Sequence, residues 1–145
     1  MGEVELYGET RKAMKRLLPQ RYVSFKLNDM RTSGIPDMIV VANHIFSGWE
    51  FKFNDHDGFH WEGIQWLTAC RLDREAYCRY VIYDEDTSLI YIVKPLELPE
   101  FVKTVNTSAP LHYEWGIPEK RDTRGVCRGF DHAALVQHIR EVHKL

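Results

Sequence analysis

Two adjacent segments, one apolar throughout and one alternating, constrain the fold of this chain more than any other feature of its sequence. Met38–Ala42 is a continuous apolar run of strand length, the pattern of a strand covered on both faces. Trp49 to Phe53 then alternates aromatic with charged side chains, which predicts a strand with one aromatic and one charged face. Together the two segments indicate that a covered β-sheet forms the centre of the fold.

Hydrophobic periodicity predicts three helices and three further strands around this pair. The helices are expected over residues 3–18, 61–76 and 131–142, and the strands over residues 22–26, 77–83 and 89–93. A turn is expected within residues 43–48, and the second helix is expected to bury Ile64, Leu67 and Leu72. This order of elements predicts an α/β or α+β fold in which helices flank a sheet.

Length and composition limit the class of protein. A chain of 145 residues fits one domain, and 44% hydrophobic with 28% charged residues is inconsistent with disorder or a fibrous repeat. No apolar run approaches the roughly 18 residues that a membrane span needs, and the acidic N-terminus lacks the apolar core of a secretory signal. Three cysteines are too few and too scattered for a disulfide framework, so we expect a cytoplasmic protein.

Charge is distributed unevenly along the chain, although the net charge is only −2. Residues 37–100 carry twelve Asp or Glu against five Lys or Arg, whereas both flanking segments have more basic than acidic residues. The small net charge argues against non-specific coating of nucleic acid. The acidic middle suits a cation-binding centre between polyanion-binding surfaces, and a solvated acidic face would give the same pattern.

Three charged side chains stand where an apolar sheet does not need them. Glu50 and Lys52 are two apart on a predicted strand, so they project from the same face, and a hairpin would bring Asp37 beside them. Two converging carboxylates suit a hard cation such as Mg²⁺, and a lysine there can hold or polarise an attacking water. On spacing alone, an exposed strand face with a cross-strand ion pair is the alternative. Gly34 and Pro36, which constrain the backbone beside Asp37, favour the site.

The same residues belong to a longer motif. The run from Ser33 to Val41, followed by Glu50-Phe51-Lys52 and later by Gln65, resembles the PD-(D/E)XK nuclease motif. It is similar to the VRR-NUC branch and to phage and archaeal Holliday junction resolvases. The resemblance implies an α/β restriction-endonuclease-like core with a mixed central sheet flanked by helices. It implies a nuclease core over residues 1–103 and leaves residues 104–145 as an extension, loop plus helix, packed on the same domain.

The resemblance also implies roles for individual residues. In these families an aspartate, a glutamate and the carbonyl after the glutamate hold Mg²⁺ or Mn²⁺, and Asp37, Glu50 and Phe51 match them. Lys52 matches the lysine that positions the nucleophilic water. Gln65 matches a glutamine often found at the edge of the active site.

The first helix and the first strand are expected to contribute further residues. An acid in the first helix commonly completes the metal shell of these nucleases, and Glu9 is the best match, with Glu5 as the fallback. Lys26 resembles a basic residue found at the corresponding place in VRR-NUC proteins. The basic face of the first helix is as typical of a solvated surface as of a DNA contact. The expected DNA contacts are Lys26, Arg31, Arg11 and Lys15.

These assignments imply a Mg²⁺-dependent endodeoxyribonuclease that hydrolyses phosphodiester bonds in branched DNA such as a Holliday junction, in DNA repair or recombination. Symmetric incision of a junction implies a homodimer. A phage-encoded chain of this kind would act in the host cytoplasm. The alternative is an inactive nuclease-fold module that binds nucleic acid or a protein partner, and retention of Asp37, Glu50 and Lys52 together argues against it.

A cluster of histidines near the end of the chain invites a zinc hypothesis. Cys127, His132, His138 and His143 fall in one short stretch, but no pair has the spacing of a structural zinc site. Surface positions on the terminal helix are expected for them instead.

Overall fold

Five strands form a single mixed sheet, with helices packed against both of its faces. The computed structural model describes residues 3–26, 36–54, 63–84, 89–101 and 133–145. The strands are β1 (Val23–Lys26), β2 (Met38–Ala42), β3 (Ile45–Asn54), β4 (Tyr77–Asp84) and β5 (Leu89–Val93). The helices are α1 (Glu3–Leu17), α2 (Gly63–Glu75) and α3 (Ala133–His143), and a 3₁₀ turn spans Pro95–Glu97. The predicted mixed sheet flanked by helices is confirmed.

The strands follow one another across the sheet in chain order. All neighbouring pairs are antiparallel except β3 and β4, which run parallel. Parallel neighbours need a crossover connection, and the chain supplies one through α2. Among the described residues, none of the helices is long and apolar enough to cross a membrane.

The hairpin between β2 and β3 is tighter than the sequence predicts. The expected turn covers residues 43–48, whereas the structure closes the hairpin with Asn43 and His44 alone, at φ values of 53° and 63°. Positive φ at both central residues is what a two-residue type I′ loop requires, and Asn is among the residues that tolerate it best. As a result β3 begins at Ile45 and pairs with β2 along the whole of that strand.

β3 separates two apolar layers on opposite faces of the sheet. On one face, Trp49 and Phe51 are fully buried beneath α1 and α3. On the other face, Tyr80 of the neighbouring β4 is buried beneath α2. Because burial of a large apolar side chain contributes about 1.5–3 kcal/mol, the aromatic residues hold β3 firmly in the sheet. Glu50 and Lys52 project from the opposite face, toward α2.

The residues of α2 that face the sheet differ from those predicted. Ile64 and Leu67, expected to face inward, are 65% and 50% exposed, so the prediction is wrong for both. Leu72 does pack against the core, together with Trp66, whose indole N–H donates to the Pro95 carbonyl. The bulky, hydrogen-bonded indole therefore determines which side of the helix faces the sheet.

α3 is attached to the sheet through two buried histidines. His143 is fully buried, with Nε2 2.7 Å from Ser47 Oγ, and His138 has Nε2 2.7 Å from the Tyr77 hydroxyl. The predicted surface positions are wrong for both histidines, because polar groups of the sheet provide their rings with buried hydrogen-bond partners. The other two members of that stretch, Cys127 and His132, lie outside the described residues.

Acidification should weaken the attachment of α3. Burial lowers the pKa of His143 below its ordinary value of 6.5. The stability contributed by the neutral ring is therefore fully present above pH 6.5 and is lost as the pH falls through the lowered pKa. Urea unfolding at about pH 7.5 and about pH 5 should show this loss in the wild-type protein. The loss should be smaller in His143→Gln, which cannot ionise, and an equal loss in both proteins would contradict the assignment.

Candidate active site

Asp37 and Glu50 meet where the pairing of β2 with β3 stops. Met38 is the first residue of β2 and lies opposite Trp49, so one further step along the register puts Asp37 opposite Glu50. The Phe51 N–H donates to Asp37 Oδ2 at 2.9 Å, and the Asp37 N–H donates to Glu50 Oε2 at 3.1 Å. The Asp37 carboxylate thus replaces the strand partner that the Phe51 amide loses where β2 begins.

Glu50 is a buried carboxylate at the centre of this arrangement, with only 4% of its surface exposed. Its Oε1 accepts a hydrogen bond from Gln65 Nε2 at 2.8 Å and lies 3.8 Å from Lys52 Nζ. Lys52 is itself buried, at 9% exposure. The structure therefore brings together side chains from β3, from α2 and, through Asp37, from the residue that precedes β2.

The electrostatic environment of Asp37 is set mainly by burial. Loss of water raises the pKa of the Asp37 carboxyl above its ordinary value. The Phe51 N–H and the positive charges of Lys52 and Lys26 act in the opposite direction, as does hydrogen bonding with the Glu50 carboxyl. Two adjacent carboxyls in largely desolvated surroundings favour any further cation that reaches them, because buried negative charge is costly without compensation.

The donor atoms at this point fit a hard divalent cation. Asp37 and Glu50 offer carboxylate oxygens, and the Phe51 carbonyl points to the same side of β3 as the Phe51 N–H, toward Asp37. Mg²⁺ prefers oxygen ligands and usually keeps several waters, so one or two carboxylates suffice. In the part of the chain that the structure describes, no three His, Cys, Asp or Glu side chains come together. The candidate ligands there are therefore Asp37, Glu50 and the Phe51 carbonyl.

Gly48 is a positioning residue that sequence reasoning missed. A Cβ built on Gly48 would lie 2.7 Å from Cγ and 3.2 Å from Cβ of Pro36, the residue before Asp37. The rigid ring of Pro36 therefore rests on bare backbone of β3, which limits the direction in which Asp37 can project. A glycine inside a strand signals such close approach, but the sequence pattern places Gly48 at the end of a turn.

Tyr80 is a second residue that sequence reasoning missed. It lies beside Glu50 in the parallel register of β3 and β4, and it is fully buried. Its hydroxyl has no hydrogen-bond partner among the described residues. Burial and the nearby Glu50 charge raise its pKa. No signal in the sequence marks Tyr80, because periodicity does not reveal how two parallel strands are aligned.

Glu9, the acid expected to complete the metal shell, lies apart from these carboxylates. Its side chain is 44% exposed, and its Oε1 is 3.3 Å from Lys12 Nζ within α1. α1 packs on the aromatic face of β3, where Tyr7 contacts Phe51, whereas Glu50 projects from the opposite face. Among the described residues Glu9 thus pairs with Lys12 and forms no group of three acids with Asp37 and Glu50, and its role as a metal ligand stays a prediction. Two further sequence candidates, the side chain of Glu5 and the whole of Arg31, lie outside the described residues.

Lys26, the last residue of β1, lies close enough to Asp37 for its positive charge to lower the pKa of that carboxyl. Its Nζ lies 5.0 Å from the centroid of the Tyr7 ring, which packs edge-on against Phe51 at 5.7 Å. An aromatic contact therefore connects Lys26 to the strand that carries the carboxylate. The other two described basic candidates, Arg11 and Lys15, line a cleft beside α1.

Comparison with known proteins assigns the chain to no family. No family model matches it, and no curated protein matches it. Its function therefore has to be inferred from the residues of the site.

Gly48→Ala should disturb the site without touching a carboxylate. The added methyl group would meet the ring of Pro36, and overpacking of this kind costs about 1–3 kcal/mol. We expect the free energy of unfolding to fall by about that amount, and Mn²⁺ binding, measured by calorimetry, to weaken because Asp37 is displaced.

Gly8→Ala is the matched control, since nothing lies within 4 Å of a Cβ built there. Replacing a helical glycine by alanine stabilises a protein by about 0.5–1 kcal/mol. A Gly48→Ala protein with wild-type stability and wild-type Mn²⁺ binding would contradict the positioning role.

Proposed function

We propose that this protein is a metal-dependent endodeoxyribonuclease with a restriction-endonuclease-like core. The observation that carries the proposal is the convergence of Asp37, Glu50 and Lys52 in buried surroundings. A solvated strand face with an ion pair does not account for it, because Glu50 and Lys52 are 4% and 9% exposed. Buried charge costs several kcal/mol per ion unless it is compensated, and charged groups of this kind cluster at functional sites.

A divalent cation would be held by Asp37, Glu50 and the Phe51 carbonyl. When bound, Mg²⁺ or Mn²⁺ supplies Lewis-acid polarisation of the scissile phosphate and offsets its developing negative charge. The chain itself orients the two carboxylates, through the Phe51 N–H on Asp37 and the Gln65 amide on Glu50. Groups that are already oriented need no rearrangement when the substrate arrives, which lowers the barrier to reaction.

We assign to Lys52 the role of positioning the water molecule that acts as the nucleophile. Its ammonium would donate a hydrogen bond to a water molecule and orient it for in-line attack on phosphorus. A new P–O bond forms as the bond to the leaving oxygen breaks, and the nearby positive charge stabilises the transition state. The buried position of Lys52 strengthens this interaction, because charges attract more strongly where water is excluded.

Branched DNA is the substrate class that the resemblance to Holliday junction resolvases supports. Cutting two strands of a four-way junction symmetrically needs two active sites related by a twofold axis. We therefore propose a homodimer as the working form. A monomer at working concentration would instead favour nicking or flap cleavage.

An inactive nuclease-fold module that binds nucleic acid or a protein partner is the second candidate. One observation favours it: Glu9 pairs with Lys12, and among the described residues no third acid joins Asp37 and Glu50. Such a module would bind DNA or a protein partner without cleaving any DNA substrate.

Lys52→Met should abolish cleavage, and because it also removes a buried partner of Glu50 its rate is compared at a temperature where circular dichroism shows the variant folded. The substitution keeps a long side chain of similar shape but removes the charge, and loss of such a group costs a rate factor of about 100 or more. Cleavage of labelled four-way junction, flap, duplex and single-stranded DNA, with and without Mg²⁺, measures the effect. Lys12→Met is the control, because Lys12 is exposed on α1. Wild-type rates in Lys52→Met would refute the assignment, and a wild-type protein that binds but cuts none of these substrates would favour the inactive module.

Asp37→Asn should remove metal binding independently of cleavage. An amide cannot supply the anionic oxygen, so we expect Mn²⁺ affinity measured by isothermal titration calorimetry to fall more than about tenfold. Glu9→Gln is the control, and it should leave the affinity unchanged because Glu9 pairs with Lys12 in α1. Equal losses in both variants would contradict the placement of the site.

A further inference from the structure

A cleft of ≈ 300 Å³ lies between α1 and the segment that leads into β1. Two of its lining residues, Arg11 and Lys15, come from one side of α1 and are four residues apart, so they lie on neighbouring turns. The other lining residues come from the chain that follows the helix: Gln20, Tyr22, Val23 and Ser24.

The polar groups that line this cleft suit an anion. Among the described residues, the lining contains two cationic side chains and no carboxylate, while Tyr22 and Ser24 add hydroxyl groups. Arg11 is held in place, since its Nη1 donates to the Tyr7 hydroxyl at 3.2 Å. A guanidinium fixed in this way presents a planar set of donors that matches the oxygens of a phosphate.

The Tyr7 ring lies between the cleft and the strand that carries Glu50. The Arg11 guanidinium lies 5.8 Å from the centroid of the Tyr7 ring, and Lys26 Nζ lies 5.0 Å from the same centroid. Tyr7 in turn packs against Phe51, whose N–H donates to Asp37. Arg11 of the cleft and Lys26 therefore lie near the same ring, and Lys26 is close enough to Asp37 for its charge to lower the pKa of that carboxyl.

We infer that this cleft binds a phosphodiester group of a DNA strand, at a position that flanks the phosphate at Asp37 and Glu50. The inference rests on the proposed function, whose substrate is a polyanion long enough to reach both places. It divides the basic residues of α1 into two classes. Arg11 and Lys15 line the cleft and bind phosphate, whereas Lys12 and Arg16 are exposed outside it and do not.

A pair of double variants tests this division. Arg11→Gln/Lys15→Gln and Lys12→Gln/Arg16→Gln remove the same charge from the same helix. Binding of a fluorescent four-way junction is measured by anisotropy in EDTA, over a range of salt concentrations, so that no cleavage occurs. We expect the cleft variant to bind at least about tenfold more weakly, and the slope of log affinity against log salt concentration to become shallower by roughly 0.9, as for one lost phosphate contact. The outer variant should remain within about threefold of the wild-type protein.

Several results would overturn the inference. Equal weakening in both variants would mean that only the total charge matters, and unchanged binding by the cleft variant would exclude the cleft as a site. Absence of junction binding by the wild-type protein would also exclude it. If the cleft double variant does not fold, Lys15→Gln is compared with Arg16→Gln, since Lys15 and Arg16 are both exposed.

Failure of this inference is distinguishable from failure of the proposed function. Cleavage that depends on Lys52, together with equal binding by the two double variants, would support the nuclease activity and refute phosphate binding in the cleft. If the cleft variant selectively loses binding and the wild-type protein cuts none of the DNA substrates, the result would support phosphate binding in the cleft and refute the nuclease activity.

Discussion

The hydrogen bond from the Phe51 amide to the Asp37 carboxylate is the constraint on which the candidate site depends. It occupies an amide that β2 no longer satisfies, and it anchors the carboxylate to the edge of β3. The reverse bond, from the Asp37 amide to Glu50, fixes the second carboxylate relative to the first. Because both bonds use backbone amides, the separation of the two acids is determined by the sheet itself and not by flexible side chains alone.

Burial of the charged groups of this site fixes their geometry but costs desolvation free energy. Glu50 and Lys52 are withdrawn from water on one face of β3, where each would be destabilising without its partner. The opposite face of the same strand offsets this cost, since Trp49 and Phe51 are fully buried there. Gln65 completes the hydrogen bonding of Glu50 from α2, so that the helix and the strand hold the carboxylate together. Strand β3 therefore packs in an apolar layer on one face and carries Glu50 and Lys52 of the candidate site on the other.

Much of the sheet could be predicted because strand signals are local. The apolar run Met38–Ala42 has the same bounds as β2, and simple alternation puts Glu50 on the face away from the aromatic residues. The failures depend on contacts between distant segments. The burial of His143 reflects a hydrogen bond with a serine of β3, and the role of Gly48 reflects a proline twelve residues earlier in the chain. Helical position in a motif likewise does not reveal which face of the sheet α1 covers, and in the structure Glu9 pairs with Lys12 within that helix.

The two-residue turn at Asn43 and His44 has a consequence for how this chain can vary. Side chains of a strand alternate between faces. A register shift of one residue between β2 and β3 would therefore place Glu50 and Lys52 in the apolar layer beneath α1 and α3. The side-chain amide of Asn43 also donates to the His143 carbonyl at 2.7 Å, which attaches the terminal helix to that turn. The two-residue tip therefore sets both the register that orients Glu50 and Lys52 and the attachment of α3.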